Sequence, residues 1–127
     1  MPEVVLDASA LLALLNGEDG AQMVARELSV SAISAVNYSE VVGKLAKAGM
    51  PEREIRDDLE GLHVEVVPFD SEQAFEAGFL RPATKALGLS LGDRACLSLA
   101  RRLGLTALTA DSTWDQLSLG IEIRLIR

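Results

Sequence analysis

A chain of 127 residues, 49% hydrophobic and 24% charged, has the size and composition of one globular domain (residues 1–127) rather than a disordered tail. Nineteen acids against 12 lysines and arginines give a net charge of −7, which excludes a protein that holds nucleic acid by bulk charge alone. One cysteine (Cys96) and one histidine (His63) exclude an internal disulfide, a cysteine-based zinc site and any zinc cage built on two histidines.

Taken in chain order, Glu3–Leu6 predicts a short buried strand running into Asp7. Ser9 is placed to cap a helix through Leu15, stopped by Asn16-Gly17. The near-apolar run Val4–Leu15 carries Asp7 and lacks a basic leader. It fits neither a signal peptide nor a membrane span, so a soluble cytoplasmic domain with no membrane partner is expected. Ala21–Leu28 is a second helical segment and Val30–Ile33 a second strand. Ser34 caps a helix to Ala48, ended by Gly49 and Pro51, and Glu52–Leu62 is the next helix. Val64–Val67 is a strand closed by Pro68, and Ser71–Leu87 is helical in part with a break at Pro82. Ser90 opens a helix to Leu103, ended by Gly104. Thr106–Thr109 is a strand, Asp111 starts a short helical turn, and Glu122–Ile126 is the last strand.

Short apolar strands alternating with helices predict an α/β fold with a mainly parallel sheet covered on both faces. In such sheets ligands bind outside the carboxyl ends of the strands, and three acids fall at those positions. Asp7 ends the first strand in apolar surroundings, where it either caps a helix or belongs to a site. Asp93 shares the apolar stripe of Cys96, Leu99, Ala100 and Leu103, opposite Arg94, Ser98, Arg101 and Arg102. A carboxylate there needs a partner or a metal, unless Ser90-x-x-Asp93 is simply a capping box. Asp111 ends the Thr106–Thr109 strand and is either an N-cap or a site residue, with Asp115 four positions on, on the same helical face. Glu40 projects opposite the stripe of Tyr38, Val41, Val42, Leu45 and Gly49, beside Asn37 and Lys44, as a solvated residue would. Together, carboxylates without histidine or cysteine suit Mg²⁺ or Mn²⁺. Such a pocket can accept a polyanion once metals fill it.

The segments Val5-Leu-Asp7-Ala-Ser9, Ser34-Ala-Val-Asn37-Tyr-Ser-Glu40, Leu89-Ser-Leu-Gly-Asp93-Arg-Ala-Cys-Leu-Ser-Leu-Ala100 and Leu108-Thr-Ala-Asp111-Ser-Thr-Trp114 occur in this order over nearly the whole chain. In this the sequence resembles the PIN-domain ribonucleases, and more narrowly the VapC-type toxins of bacterial toxin–antitoxin pairs. The resemblance implies a three-layer α/β/α sandwich and a Mg²⁺-dependent endoribonuclease that hydrolyses RNA phosphodiesters with metal-activated water. It implies Asp7 and Asp93 as the main metal ligands. Glu40 and Asp111 would complete the acidic pocket, with Glu40 placed to orient or deprotonate the attacking water. Ser9, Asn37 and Thr109 match supporting positions, whereas Asp115 matches no firm motif position. A homodimer and a VapB-type antitoxin that blocks the acidic groove with a basic side chain are implied as well.

The charge is uneven: residues 1–77 carry net −10 and residues 78–127 net +3. This makes Arg81, Lys85, Arg94, Arg101 and Arg102 the expected contacts to an RNA backbone, the alternative being a solvated face. Two rival phosphate-handling folds fit poorly. A receiver domain wants a second acid beside Asp7 and a lysine after the last strands, but Asp7 is followed by Ala8 and the last lysine is Lys85. An Asp-x-Asp phosphotransferase meets Ser9 in place of its second acid. A non-catalytic interaction module, or an inactive PIN domain that only binds its antitoxin, remains the alternative function.

Overall fold

Val4–Leu6 (β1) shows no polar alternation because both of its faces are covered. Val4 and Leu6 pack into one helical layer and Val5 into the other. The computed structural model describes residues 1–127. In it β1 is the central strand of a five-stranded, all-parallel sheet with order β3-β2-β1-β4-β5. The other strands are β2 (Ser31–Ser34), β3 (Glu65–Val67), β4 (Thr106–Thr109) and β5 (Ile123–Leu125).

Seven helices cover the sheet: α1 (Ala8–Asn16), α2 (Ala21–Glu27), α3 (Ala35–Lys47), α4 (Glu52–Glu60), α5 (Ser71–Phe79), α6 (Arg81–Thr84) and α7 (Leu91–Leu103). Alternation along the strands divides the core in two. Val4, Leu6, Ile33 and Leu108 meet side chains such as Leu11, Val24, Val41 and Ile55 of the first four helices. Val5 and Ala107 meet Leu80, Cys96, Leu97, Leu99 and Trp114 on the other face. The expected three-layer α/β/α sandwich is therefore the observed architecture, and no helix is long and apolar enough to cross a membrane.

Three local expectations change. Asp7, not Ser9, is the N-cap of α1. The Ser71–Leu87 region divides into α5, α6 and a 3₁₀ turn, Lys85–Leu87, with the break falling before Pro82, at Leu80. The helix from Ser90 shows no solvated face between Arg94 and Ala100: α7 is buried over that stretch because α5 packs over the side that the sequence leaves to Arg94 and Ser98. Ser98 donates to Gln73 Oε1 and Arg94 Nη1 to the Ala77 carbonyl.

Strand register then prepares the site. Leu6 is level with Ile33 on one side and Leu108 on the other. The next residues, Asp7, Ser34 and Thr109, consequently leave the sheet side by side at its carboxyl edge.

Candidate active site

Asp7 is buried at that edge, with only 4% of its surface exposed. Its Oδ1 accepts from the Ala10 amide at 2.8 Å and from Ser9 Oγ at 2.7 Å, and its Oδ2 accepts from Thr109 Oγ1 at 2.5 Å. Burial pushes its pKa from 3.8 up to about 6, against the pull of the Thr109, Ala10 and Ser9 donors, and the charge of Asp93 adds to the rise. Ser9, displaced from the cap, accepts from the Ala110 amide at 2.9 Å. Thr109 Oγ1 in turn accepts from the Asp111 amide at 3.0 Å. The first and fourth strand exits are thus tied into one hydrogen-bonded unit around a single carboxylate.

Asp111 caps the 3₁₀ turn Ser112–Gln116, its Oδ1 accepting from the Thr113 amide at 3.0 Å and the Thr113 hydroxyl at 2.7 Å. Trp114 on that turn is fully buried in the core. Asp115 is exposed and does not line the cleft, unlike the supporting position expected for it.

Glu40 is not solvated on all sides, as its helix alone suggests. The start of α7 covers it. Asn37 Nδ2 donates to Glu40 Oε1 at 2.9 Å and to the Gly92 carbonyl at 3.0 Å, which ties α3 to α7. Asn37 is buried, and its Oδ1 has no hydrogen-bond partner. Gly92 was not singled out in the sequence, yet a Cβ there would overlap the Glu40 carboxylate.

Asp93 closes the capping box of α7: its Oδ2 accepts from the Ser90 amide at 2.9 Å while Ser90 Oγ accepts from the Asp93 amide at 3.1 Å. Capping and convergence prove compatible. Asp7, Glu40, Asp93 and Asp111 line one cleft of about 460 Å³, together with Ser9 and Asn37. The positive ends of α1 and α7 point into it and offset part of the carboxylate repulsion. The thiol of Cys96 lies under the same cleft. Burial pushes its pKa well up, and the fields of Asp7, Asp93 and Glu40 add to that, leaving an inert neutral group.

The expected RNA contacts are only partly placed. Arg94 is buried and turned into the protein, with its Nε unpartnered, so it is no surface contact. Arg101 and Arg102 are exposed but sit on the last turn of α7, where they bind the Leu119 carbonyl and Glu76. They stand roughly 12–14 Å along the helix axis from Asp93 at 1.5 Å rise per residue, at the opposite edge of the sheet. Arg81 and Lys85 are exposed at the Asp93 end of α7 without lining the cleft. The cations that do line it are Lys44, which lies in the acidic part of the chain, and Arg127, which lies in the cationic part but is not among the expected contacts.

The donor chemistry suits a hard divalent cation: carboxylate and hydroxyl oxygens, no nitrogen or sulfur, and a buried acid whose ionisation lacks a cationic partner. No three Asp, Glu, His or Cys side chains are grouped closely enough to share one ion. The set therefore fits an ion held directly by one or two carboxylates with water completing its shell, which is how Mg²⁺ is usually bound. Asp7 and Asp93, whose charges already interact, would hold it.

Residues 4–119 match the family model of the PIN domain. No curated protein matches the sequence. Among solved structures, the fold is similar to that of a DNA-bound VapBC complex from Salmonella typhimurium, at 22% identity and a TM-score of 0.78 over 100% of both chains. It is similar to a toxin–antitoxin complex from Klebsiella pneumoniae, at 21% identity and 0.74 over 98% of each chain. A third is VapBC2 from Rickettsia felis bound to a promoter DNA fragment, at 16% identity and 0.72 over 96% of this chain and 97% of that one.

Proposed function

The chain belongs to the PIN domain family, and on that footing we propose that it is a Mg²⁺- or Mn²⁺-dependent endoribonuclease, the VapC-type toxin of a toxin–antitoxin pair. The observation that supports this most is the convergence of Asp7, Glu40, Asp93 and Asp111, four acids spread over 105 residues of sequence, on one cleft at the carboxyl edge of the sheet. Capping explains why Asp7, Asp93 and Asp111 each sit at a helix end, but it does not require those ends to share one cleft with Glu40.

A bound divalent ion supplies positive charge to the phosphoryl oxygens and acidifies water. Asp7 and Asp93 would hold it. Glu40, fixed by Asn37 and by the wall at Gly92, orients the attacking water and accepts its proton. Asp111 completes the negative wall. Ser9 and Thr109 keep the Asp7 carboxylate from rotating, so its geometry is set before substrate arrives. Arg81 and Lys85 are the exposed cations left at this edge for the RNA chain beyond the cleft. The reaction is cytoplasmic, and the protein works as a homodimer until a VapB-type antitoxin blocks the cleft with a basic side chain.

The test is cleavage of structured cellular RNAs with Mg²⁺ or Mn²⁺, with and without EDTA. Cutting that EDTA abolishes, and that Asp93→Asn abolishes in a folded chain, is the expected result. A folded wild-type chain that is inert on every RNA with either metal would overturn the nuclease reading and leave a module that only binds its partner.

A further inference from the structure

The acidic cleft is not symmetric about its carboxylates. From Asp7 and Glu40 it runs as a groove between α1 and α3, past Leu12 and Asn16 on one wall and Lys44, Leu45 and Ala48 on the other, and ends at Glu18 and Arg127. Both cations of the cleft lie along this extension. Lys44 stands one helical turn beyond Glu40, about 6 Å along the axis of α3. It is exposed and takes part in none of the molecule's ion pairs, whose cations are Arg56, Arg102, Arg124 and Arg127.

Arg127 is held in place by the turn after α1. Its Nη1 donates to Glu18 Oε1 and to the Asp19 carbonyl, each at 3.1 Å. Gly20 has a φ of 96°, and a Cβ there would sit 2.6 Å from the Ile126 carbonyl oxygen. The turn and the segment after β5 are therefore packed backbone to backbone, and Arg127 has a fixed position at the groove's end.

A polyanion whose cut phosphate sits among four carboxylates needs fixed positive charge close by, and the groove offers it in one direction only. The geometry points to Lys44 and Arg127 as the residues that seat the substrate strand, contacting successive backbone phosphates on one side of the scissile bond along the α1–α3 groove. This rests on the nuclease reading above. Glu18 is then an internal competitor that holds Arg127 until a phosphate replaces it. Neither cation touches the reacting phosphate; both are positioning residues.

Binding of a fluorescent single-stranded RNA is measured by anisotropy with Mg²⁺ on the uncleaving Asp93→Asn chain, across a salt series. Lys44→Ala and Arg127→Gln are each expected to weaken binding several-fold and to lower the slope of log affinity against log salt by about 0.7, the value for one single-strand phosphate contact. Lys44→Arg is expected to restore both. Glu18→Gln separates a phosphate contact from a structural tie: it is expected to leave binding intact or tighter, and if it weakens binding as Arg127→Gln does, the ion pair itself matters and the assignment fails. A wild-type chain that cleaves RNA while Lys44→Ala and Arg127→Gln bind with unchanged affinity and slope overturns the seating alone. A wild-type chain that cleaves no RNA removes the reading beneath it.

Discussion

The Glu40 carboxylate occupies the space that a side chain at position 92 would fill. Glycine at that position is a steric requirement of the acid, not of the backbone, because Gly92 lies within the first turn of α7 with no positive φ. Alanine would favour the helix by up to about 1 kcal/mol, and Glu40, a flexible side chain, can swing away. Gly92→Ala is therefore expected to fold with unchanged or slightly higher thermal stability and to lose RNA cleavage by up to about 100-fold, the usual cost of misplacing a catalytic group by about 1 Å. Parallel melting and cleavage assays check this. Full activity in the variant would show that Glu40 need not hold its present position.

Thr109 Oγ1 does two jobs at once: it donates to Asp7 Oδ2 and accepts from the Asp111 amide. Thr109→Val keeps the shape but removes both bonds, leaving a buried carboxylate oxygen and a partly buried N–H without their partner. The expected cost is about 1–3 kcal/mol of stability. With its strongest donor gone, Asp7 should ionise at a higher pH, so the acid limb of the cleavage profile should move alkaline. Thr109→Ser should restore the profile. A valine variant with an unmoved acid limb would mean that this hydroxyl does not tune Asp7.

Arg94 offers a test in the opposite direction. Its guanidinium is buried with one bond to the Ala77 carbonyl, an unpartnered Nε and no acid in ion-pair range. Burying a charge without a counter-charge carries a desolvation cost that an apolar side chain of similar length does not. Arg94→Met should therefore keep or raise the melting temperature and leave RNA affinity and its salt slope unchanged. Loss of RNA binding in a folded Arg94→Met chain would restore this residue to the substrate surface.

What the sequence made legible follows from where each residue's neighbours lie. Asp7 and Asp111 stand at strand ends, and strand alternation alone predicts that such positions gather at the carboxyl edge of a parallel sheet. Glu40 and Arg94 misled for one shared reason: helical periodicity reports only the helix itself. The polar side of α3 is covered by Gly92, 52 positions away, and the polar side of α7 by α5. Charge segregation misled as well. Arg101 and Arg102 are close to Asp93 in sequence but at the far end of the same helix, whereas Lys44, in the acidic part of the chain, reaches the cleft. The Ser9 cap failed because Asp7, one residue before α1, is better placed to take it.

Asp7 couples folding to both pH and metal, and the sign can be worked through. Its carboxyl moves from 3.8 to about 6 on folding because burial disfavours the charged form. Below the unfolded value both states are protonated and the group exerts no penalty. Between 3.8 and about 6 the native state binds the extra proton, so stability falls as pH rises through that window. Above it the penalty is constant, about 3 kcal/mol for a shift of roughly two units. In EDTA, Asp7→Asn should therefore match the wild type near the acid end and exceed it in stability at neutral pH. Asparagine can keep the bonds from Ala10 and Ser9 and turn its amide toward Thr109. Mg²⁺ should nearly close that gap at neutral pH at a concentration 100-fold above its dissociation constant, where it raises wild-type stability by about 2.7 kcal/mol, and reverse the ranking at 1,000-fold, where it raises it by about 4.1 kcal/mol. It should do little for Asp7→Asn, and little for wild type once Asp7 is protonated. Melting curves of both chains from pH 4 to 8, with EDTA and with Mg²⁺, separate the two effects. Parallel pH profiles in EDTA would remove the burial penalty, and a wild type that Mg²⁺ does not stabilise at neutral pH would remove the metal from the cleft.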